Sequence, residues 1–214
     1  MALDALAYAG AIVRAVKSVE RDGKPAKAVV ATATYDTSLE DLWDAVTTAP
    51  RIKRWFLPIN GELKLGGKYQ LVGNAGGTIT ACEAPNHFTV TWEMGGQVSW
   101  VDIRLSSREV GKATLELTHT AIVDDAFWPT YGPGAVGVGW DLGLFGLSRH
   151  IGSPEAERPP EAAEAWATSP EAMQFYRTAS TAWGDAAAAD GMVNARQAAE
   201  NTRRFYSGEP PMGG

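Results

Sequence analysis

The sequence predicts an α+β fold in which a long antiparallel meander is covered on its apolar face by a helix late in the chain. Three observations predict it. Between Gly61 and Thr120, β-prone runs are punctuated by glycine, asparagine and proline. Within those runs the alternation puts Phe88, Val90 and Trp92 on one side, then Val101, Ile103 and Leu105, then Leu115, Leu117 and His119. A face that apolar must be covered, and the segment Ala135 to Ile151 carries Val136, Trp140, Leu144 and Leu147 at helical spacing.

The elements follow in order. Ile12 to Tyr35 splits at Arg21-Asp-Gly-Lys24, and Asp-Gly between two β-prone runs predicts a hairpin. Ser38 is the N-cap of a helix whose first turn holds Glu40 and Asp41, and Leu39, Leu42, Trp43 and Val46 give it one apolar face. Pro50 interrupts that helix, and Ile52, Trp55 and Phe56 form a second short apolar turn. Expected strands are Glu62–Leu65, Lys68–Val72, Gly77–Glu83, His87–Met94, Val98–Ser106 and Lys112–Thr120. In the covering helix Gly139, Gly143 and Gly146 form a stripe that lets backbone approach the sheet, at about 1 kcal/mol of helix propensity each. Residues 152–168 read as a Pro- and Glu-rich linker with room for one short helix. Ser169-Pro170-Glu171 starts a helix that ends near Gly191, Asn194 to Tyr206 forms the last one, and Ser207 to Gly214 is expected to fray. The division expected is a domain over 1–151 and a helical extension over 152–214.

At 214 residues, 45% hydrophobic and 21% charged, the chain can bury a substantial core. A formal charge of −6 with no basic block argues against nucleic acid or an anionic membrane as partner. The N-terminus lacks a basic stretch before an apolar core, and Ala135 to Leu147 is too short to span a bilayer and contains Asp141. With the single Cys82 leaving no intrachain disulfide, a cytoplasmic protein is expected. No Cys/His cluster has metal spacing, and no cofactor is expected. The run Gly73-Asn-Ala-Gly-Gly77 is a hairpin turn, since a strand rather than a helix follows it.

The strand, helix, Pro-separated short helix order, with its Leu42-Trp43 and Trp55-Phe56 pairs, resembles the opening of the START-like (SRPBCC) superfamily. The Leu-Thr-His119-Thr ending of the last strand and Gly139-Trp140 in the covering helix extend the resemblance over about residues 26–151. It is closer to the heat-shock-ATPase-activator homology branch. The resemblance implies a helix-grip fold, in which sheet and C-terminal helix enclose a cavity for an apolar small molecule. It also implies two other activities found among its members: polyketide cyclase or aromatase chemistry, and stimulation of a chaperone ATPase.

On this basis Trp55, Phe56, Tyr69, Trp92, His119 and Trp140 are the candidate ligand-binding residues. Each has a structural reading beside the functional one. Trp43 and Trp92 read first as core fillers, whereas the family pattern puts Trp55 at the cavity rim and Trp140 on the gripping helix. His119 continues the inward face, where it could touch a ligand, act as a base with Tyr69, or hydrogen-bond a backbone carbonyl or an indole. Asp124 or Asp125 could orient its ring, though acids in such a loop more often cap a turn. His87 and His150 are expected to be exposed. The expected function is non-catalytic binding of an apolar or aromatic molecule. A cyclase and a protein-interaction role, homodimerisation included, are the alternatives.

Overall fold

Local chemistry sets the first hairpin. Asp22 and Gly23 both take positive φ, 52° and 73°, as a mirror-image two-residue turn requires. They fold β1 (Val13–Arg21) back on β2 (Lys24–Tyr35). The computed structural model describes residues 4–124, 126–155 and 160–212. Ahead of β1 lies a helix the sequence did not announce, α1 (Ala5–Ala11), whose first N–H groups bond Asp4.

Helix α2 (Leu39–Thr47) starts as expected, with Ser38 Oγ accepting from the Asp41 N–H at 3.1 Å. Pro50 falls in the first turn of α3 (Ala49–Trp55), where its missing N–H costs nothing. The strands β3 (Ile59–Gly61), β4 (Lys68–Leu71), β5 (Gly76–Glu83), β6 (His87–Met94), β7 (Gln97–Glu109) and β8 (Lys112–Ile122) follow. Consecutive strands from β3 to β8 pair antiparallel, and the eight-stranded sheet has the order β1-β2-β8-β7-β6-β5-β4-β3. This is an α+β helix-grip fold, with a curved sheet that does not close.

One strand falls elsewhere than expected. Residues 62–65 are not extended, because the chain doubles back there. Lys64 N–H bonds Glu62 O, Gly67 N–H bonds Lys64 O, and Gly66 sits at φ 77°. A Cβ on Gly67 would lie 2.0 Å from Glu62 O, so the two glycines make this tight turn possible and displace β3 to Ile59–Gly61.

The remaining elements are helical: α4 (Phe127–Tyr131), α5 (Gly134–Gly152), α6 (Pro160–Ala167), α7 (Pro170–Ala189) and α8 (Ala195–Tyr206). Ser169 caps α7 through the Ala172 N–H, with Pro170 in its first turn. The expected linker over 152–168 includes α6, and its residues 156–159 lie outside the described ones. The tail is pinned rather than frayed through residue 212. Arg203 bonds both Glu200 and Glu209, Arg204 bonds Pro210 O, and the Met212 N–H reaches Asn201.

The chain forms two compact units. Met1–Ala31, Ile122–Phe145 and Arg158–Gly214 make the first; Thr32–Ala121 and Gly146–Glu157 make the second. The first unit centres on Trp183, Phe175 and Val138, all fully buried. Gly137 exists there because a Cβ would lie 2.3 Å from the Trp183 ring. Asp141, with no exposure, accepts from Arg14 Nε at 3.1 Å and Trp183 Nε1 at 2.9 Å on one oxygen, and its other oxygen has no partner. Arg14 also donates to Ile12 O and Ala9 O.

In the second unit the sheet's apolar face buries Val90, Val101, Ile103, Leu105, Leu115 and Leu117, with Leu42, Ala45 and Ile52 buried in α2 and α3. Gly146 of the glycine stripe approaches the backbone of α3, since a Cβ there would stand 2.5 Å from Trp55 O. Gly146→Ala is therefore expected to destabilise by about 1–3 kcal/mol, because backbone cannot yield as a side-chain tip can. Urea denaturation would show this, and an unchanged midpoint would contradict the packing.

Candidate functional site

The register of the central strands assembles the site. Trp92 pairs with Ser99 across β6–β7, and Val101 pairs with His119 across β7–β8. Ser99 therefore lies diagonally from His119 on the same face, within reach of a long side chain. His119 Nε2 and Ser99 Oγ are 2.8 Å apart, and Ser99 Oγ donates to Trp92 O at 3.2 Å. With its single proton used in that way, the serine oxygen accepts from the imidazole, which fixes the Nε2–H tautomer. The Trp92 and His119 rings lie 6.0 Å apart between centroids.

Burial decides the charge of that ring. His119 is 7% exposed, and desolvation pulls its pKa down to about 4, so it is neutral at pH 7. Trp92 beside it, and Phe88 further along β6, remain half-buried in an otherwise buried apolar face. Trp43 meets Phe88 edge-on at 5.9 Å.

Trp92 and His119 are thus brought together. Trp55 and Phe56 form a second pair, with ring centroids 5.4 Å apart and both half-buried. Trp55 is oriented by its Nε1–H, which donates to Ala45 O at 2.9 Å and ties α3 to α2. Tyr69 is buried on β4 and donates to Thr91 O at 2.8 Å. Burial, with Glu93 adding to it, pushes its phenol well above the usual range. Trp140 belongs to the first unit, on α5, and is half-buried. Asp124 is taken up by the Ala126 and Phe127 N–H groups at the start of α4, while Asp125 lies outside the described residues.

Two histidines differ from expectation. His150 is buried, not exposed, and its Nε2 accepts from Arg51 Nε at 2.7 Å. Arg51 in turn bonds Asp41 and Asp44, so this cluster fastens the end of α5 to α2 and α3. Burial and then the neighbouring Arg51 and Arg54 charges hold the His150 pKa below its ordinary value. His87 is partly sheltered, with Nε2 2.7 Å from Asp102 across the β6–β7 ladder. The residue that sequence reasoning passed over is Ser99. Its two-residue offset from Val101 was the available signal, but it needed the β7–β8 register. Among the described residues no group of His, Cys, Asp and Glu could hold a metal ion, and no helix is long and apolar enough to cross a membrane.

The profile of the activator of Hsp90 ATPase homolog 1-like proteins matches residues 36–149, from α2 to the end of α5. The chain belongs to that family. No curated protein matches it. Among solved structures it is similar to CalU16 from Micromonospora echinospora, whose crystal structure shows 31% identity over 84% of this chain and 98% of CalU16, with a TM-score of 0.63. The solution structure of CalU16 gives 28% identity over 85% and 97%, with a TM-score of 0.68. A conserved protein from Enterococcus faecalis, EF2215, shares the fold at 15% identity, covering 85% and 93%, with a TM-score of 0.59. The CalU16 match extends well beyond residues 36–149, so relatives with additions of similar extent exist. The START-like resemblance read from the sequence is that of this family.

Proposed function

We propose that this member of the family binds an apolar or aromatic small molecule against the inner sheet face of the second unit, and does so without catalysis. The observation that carries the reading is the half-buried Trp92 indole beside a neutral imidazole in an otherwise apolar wall. An apolar surface with a few fixed polar groups is the usual character of a small-molecule site. Trp55 and Phe56 offer a second pair of half-buried rings in the same unit. Trp140, on α5, is the remaining candidate from the sequence. The negative charge and the single free Cys82 support a cytoplasmic protein that engages neither nucleic acid nor membrane.

The cyclase reading is less well supported. A base whose pKa is about 4 has little driving force to take a proton at pH 7, and the Tyr69 phenol already donates to Thr91 O. The family match favours a second reading, stimulation of a chaperone ATPase. A steady-state ATPase assay of purified Hsp90 with and without the protein tests that reading directly.

Binding is tested with the neutral fluorophore N-phenyl-1-naphthylamine. The wild-type protein is expected to give saturable fluorescence enhancement, and Trp92→Ala to weaken it by about tenfold, or ~1.4 kcal/mol. A wild-type protein that shows no saturable binding would overturn the proposal. So would a folded Trp92→Ala variant that binds as tightly as wild type.

A further inference from the structure

Two arginines of α3 fasten the end of α5 within the second unit, and their bonds differ in kind. Arg54 Nη1 donates to the Pro154 carbonyl oxygen at 2.6 Å, a bond that no titration alters. Arg51 Nε donates to His150 Nε2 at 2.7 Å. A guanidinium only donates, so Nε2 is the acceptor and the ring proton sits on Nδ1. That Nδ1 is buried without a hydrogen-bond partner, and His150 as a whole is 4% exposed. The bond to Arg51 therefore exists only while Nε2 carries no proton.

Protonation makes this contact repulsive. Two N–H groups and two positive charges would then face each other across 2.7 Å. The charges around the ring are Arg51 and Arg54 on α3, Asp41 on α2 and Glu155 beyond α5, and Arg149 precedes it on α5 itself. Asp41 and Asp44 are already held by Arg51 at 3.0 and 2.9 Å, whereas the Glu155 side chain is 97% exposed. An imidazolium released outward meets that free carboxylate region and the negative end of the α5 dipole. Burial, then the Arg51 and Arg54 charges, hold the His150 pKa below its ordinary 6.5. The contribution of the bond is thus complete above pH 6.5 and is lost as pH falls below that value.

We propose that the Arg51–His150 bond is an acid-released latch, in which protonation expels the His150 ring from α3 and frees the last turn of α5. Gly146, one turn earlier, stands against Trp55 O, and Trp55 and Phe56 belong to the ligand wall proposed above. Acid thereby loosens that wall and speeds ligand release. This consequence rests on the binding reading; the latch itself does not.

The latch is tested on the full chain without ligand, by NMR from about pH 7.5 to about pH 4.5. The His150 ring signals report protonation, and hydrogen–deuterium exchange reads the α5 amides. As His150 gains its proton, protection at residues 149–152 is expected to fall about tenfold relative to intrinsic exchange rates, with the β7 and β8 amides unchanged. His150→Gln keeps an acceptor for Arg51 and does not titrate, so its protection should stay flat. Dissociation of N-phenyl-1-naphthylamine, followed by stopped flow, should quicken several-fold over the same range in wild type and not in the variant. An imidazole that stays neutral, protection that survives its protonation, or the same loss in His150→Gln would overturn the latch. Protection lost as expected in a protein that never binds the dye supports the latch and overturns the binding reading alone.

Discussion

Arg14→Met is expected to destabilise the protein by about 3–5 kcal/mol, the cost of stripping one partner from a buried ion pair. The side chains of Arg14 and Asp141 are 4% and 0% exposed, so water cannot replace the lost guanidinium. The two partners are not equivalent. Without Asp141, Arg14 still donates to Ile12 O and Ala9 O. Without Arg14, the Asp141 carboxylate keeps only the Trp183 N–H and leaves its other oxygen bare. Asp141→Asn should therefore cost clearly less than Arg14→Met, because the amide oxygen can still accept from Trp183. Urea midpoints for the two variants decide the matter, and an Arg14→Met loss below about 1 kcal/mol would refute the reading.

The second large effect is a pair of opposed pH dependences. His119 titrates near 4 in the folded chain against about 6.5 unfolded, so its contribution is complete above pH 6.5 and is lost as pH falls through 4. Asp141 behaves in reverse. Burial, against the pull of Arg14 and Trp183, raises it to about 6, so its contribution is complete below pH 3.8 and is lost as pH rises through 6. At about 1.36 kcal/mol per pH unit, each amounts to about 3 kcal/mol, and between pH 4 and 6 they nearly cancel. In Asp141→Asn the cancellation is gone, and stability should fall by about 3 kcal/mol more than in wild type between pH 7 and 4. His119→Asn should shift the slope the other way, with His150 left as a smaller contribution of the same sign as His119. Parallel stability–pH curves for wild type and the two variants would exclude this account.

Those groups also show where sequence reasoning stops. The Asp22-Gly23 turn, the Ser38 and Ser169 caps and the restart at Pro50 were legible because each is decided within a few residues by φ, capping geometry or a missing N–H. Alternation likewise gave the inward face of β6, β7 and β8, and His119 on it. It could not pair Asp141 with Arg14, 127 positions away, or His150 with Arg51, 99 away. Nor could it choose Ser99 as the partner of His119, which depends on the register between two strands. The first strand after α3 was placed on the wrong side of Gly61, because Glu62 to Leu65 alternates as a strand would.

The composition of the first unit has a consequence for biosynthesis. Its core joins the first 31 residues to a stretch from Ile122 to Phe145 and to everything after Arg158. Arg14 and Ser18 are made long before Trp183 and Asp190, the residues they meet. The second unit takes most of its residues from the single run Thr32–Ala121. Vectorial synthesis therefore leaves Val16 and the outward Ser18 N–H of β1 uncovered until translation has passed α7. During that interval a nascent chain is most exposed to pairing with its neighbours on a polysome.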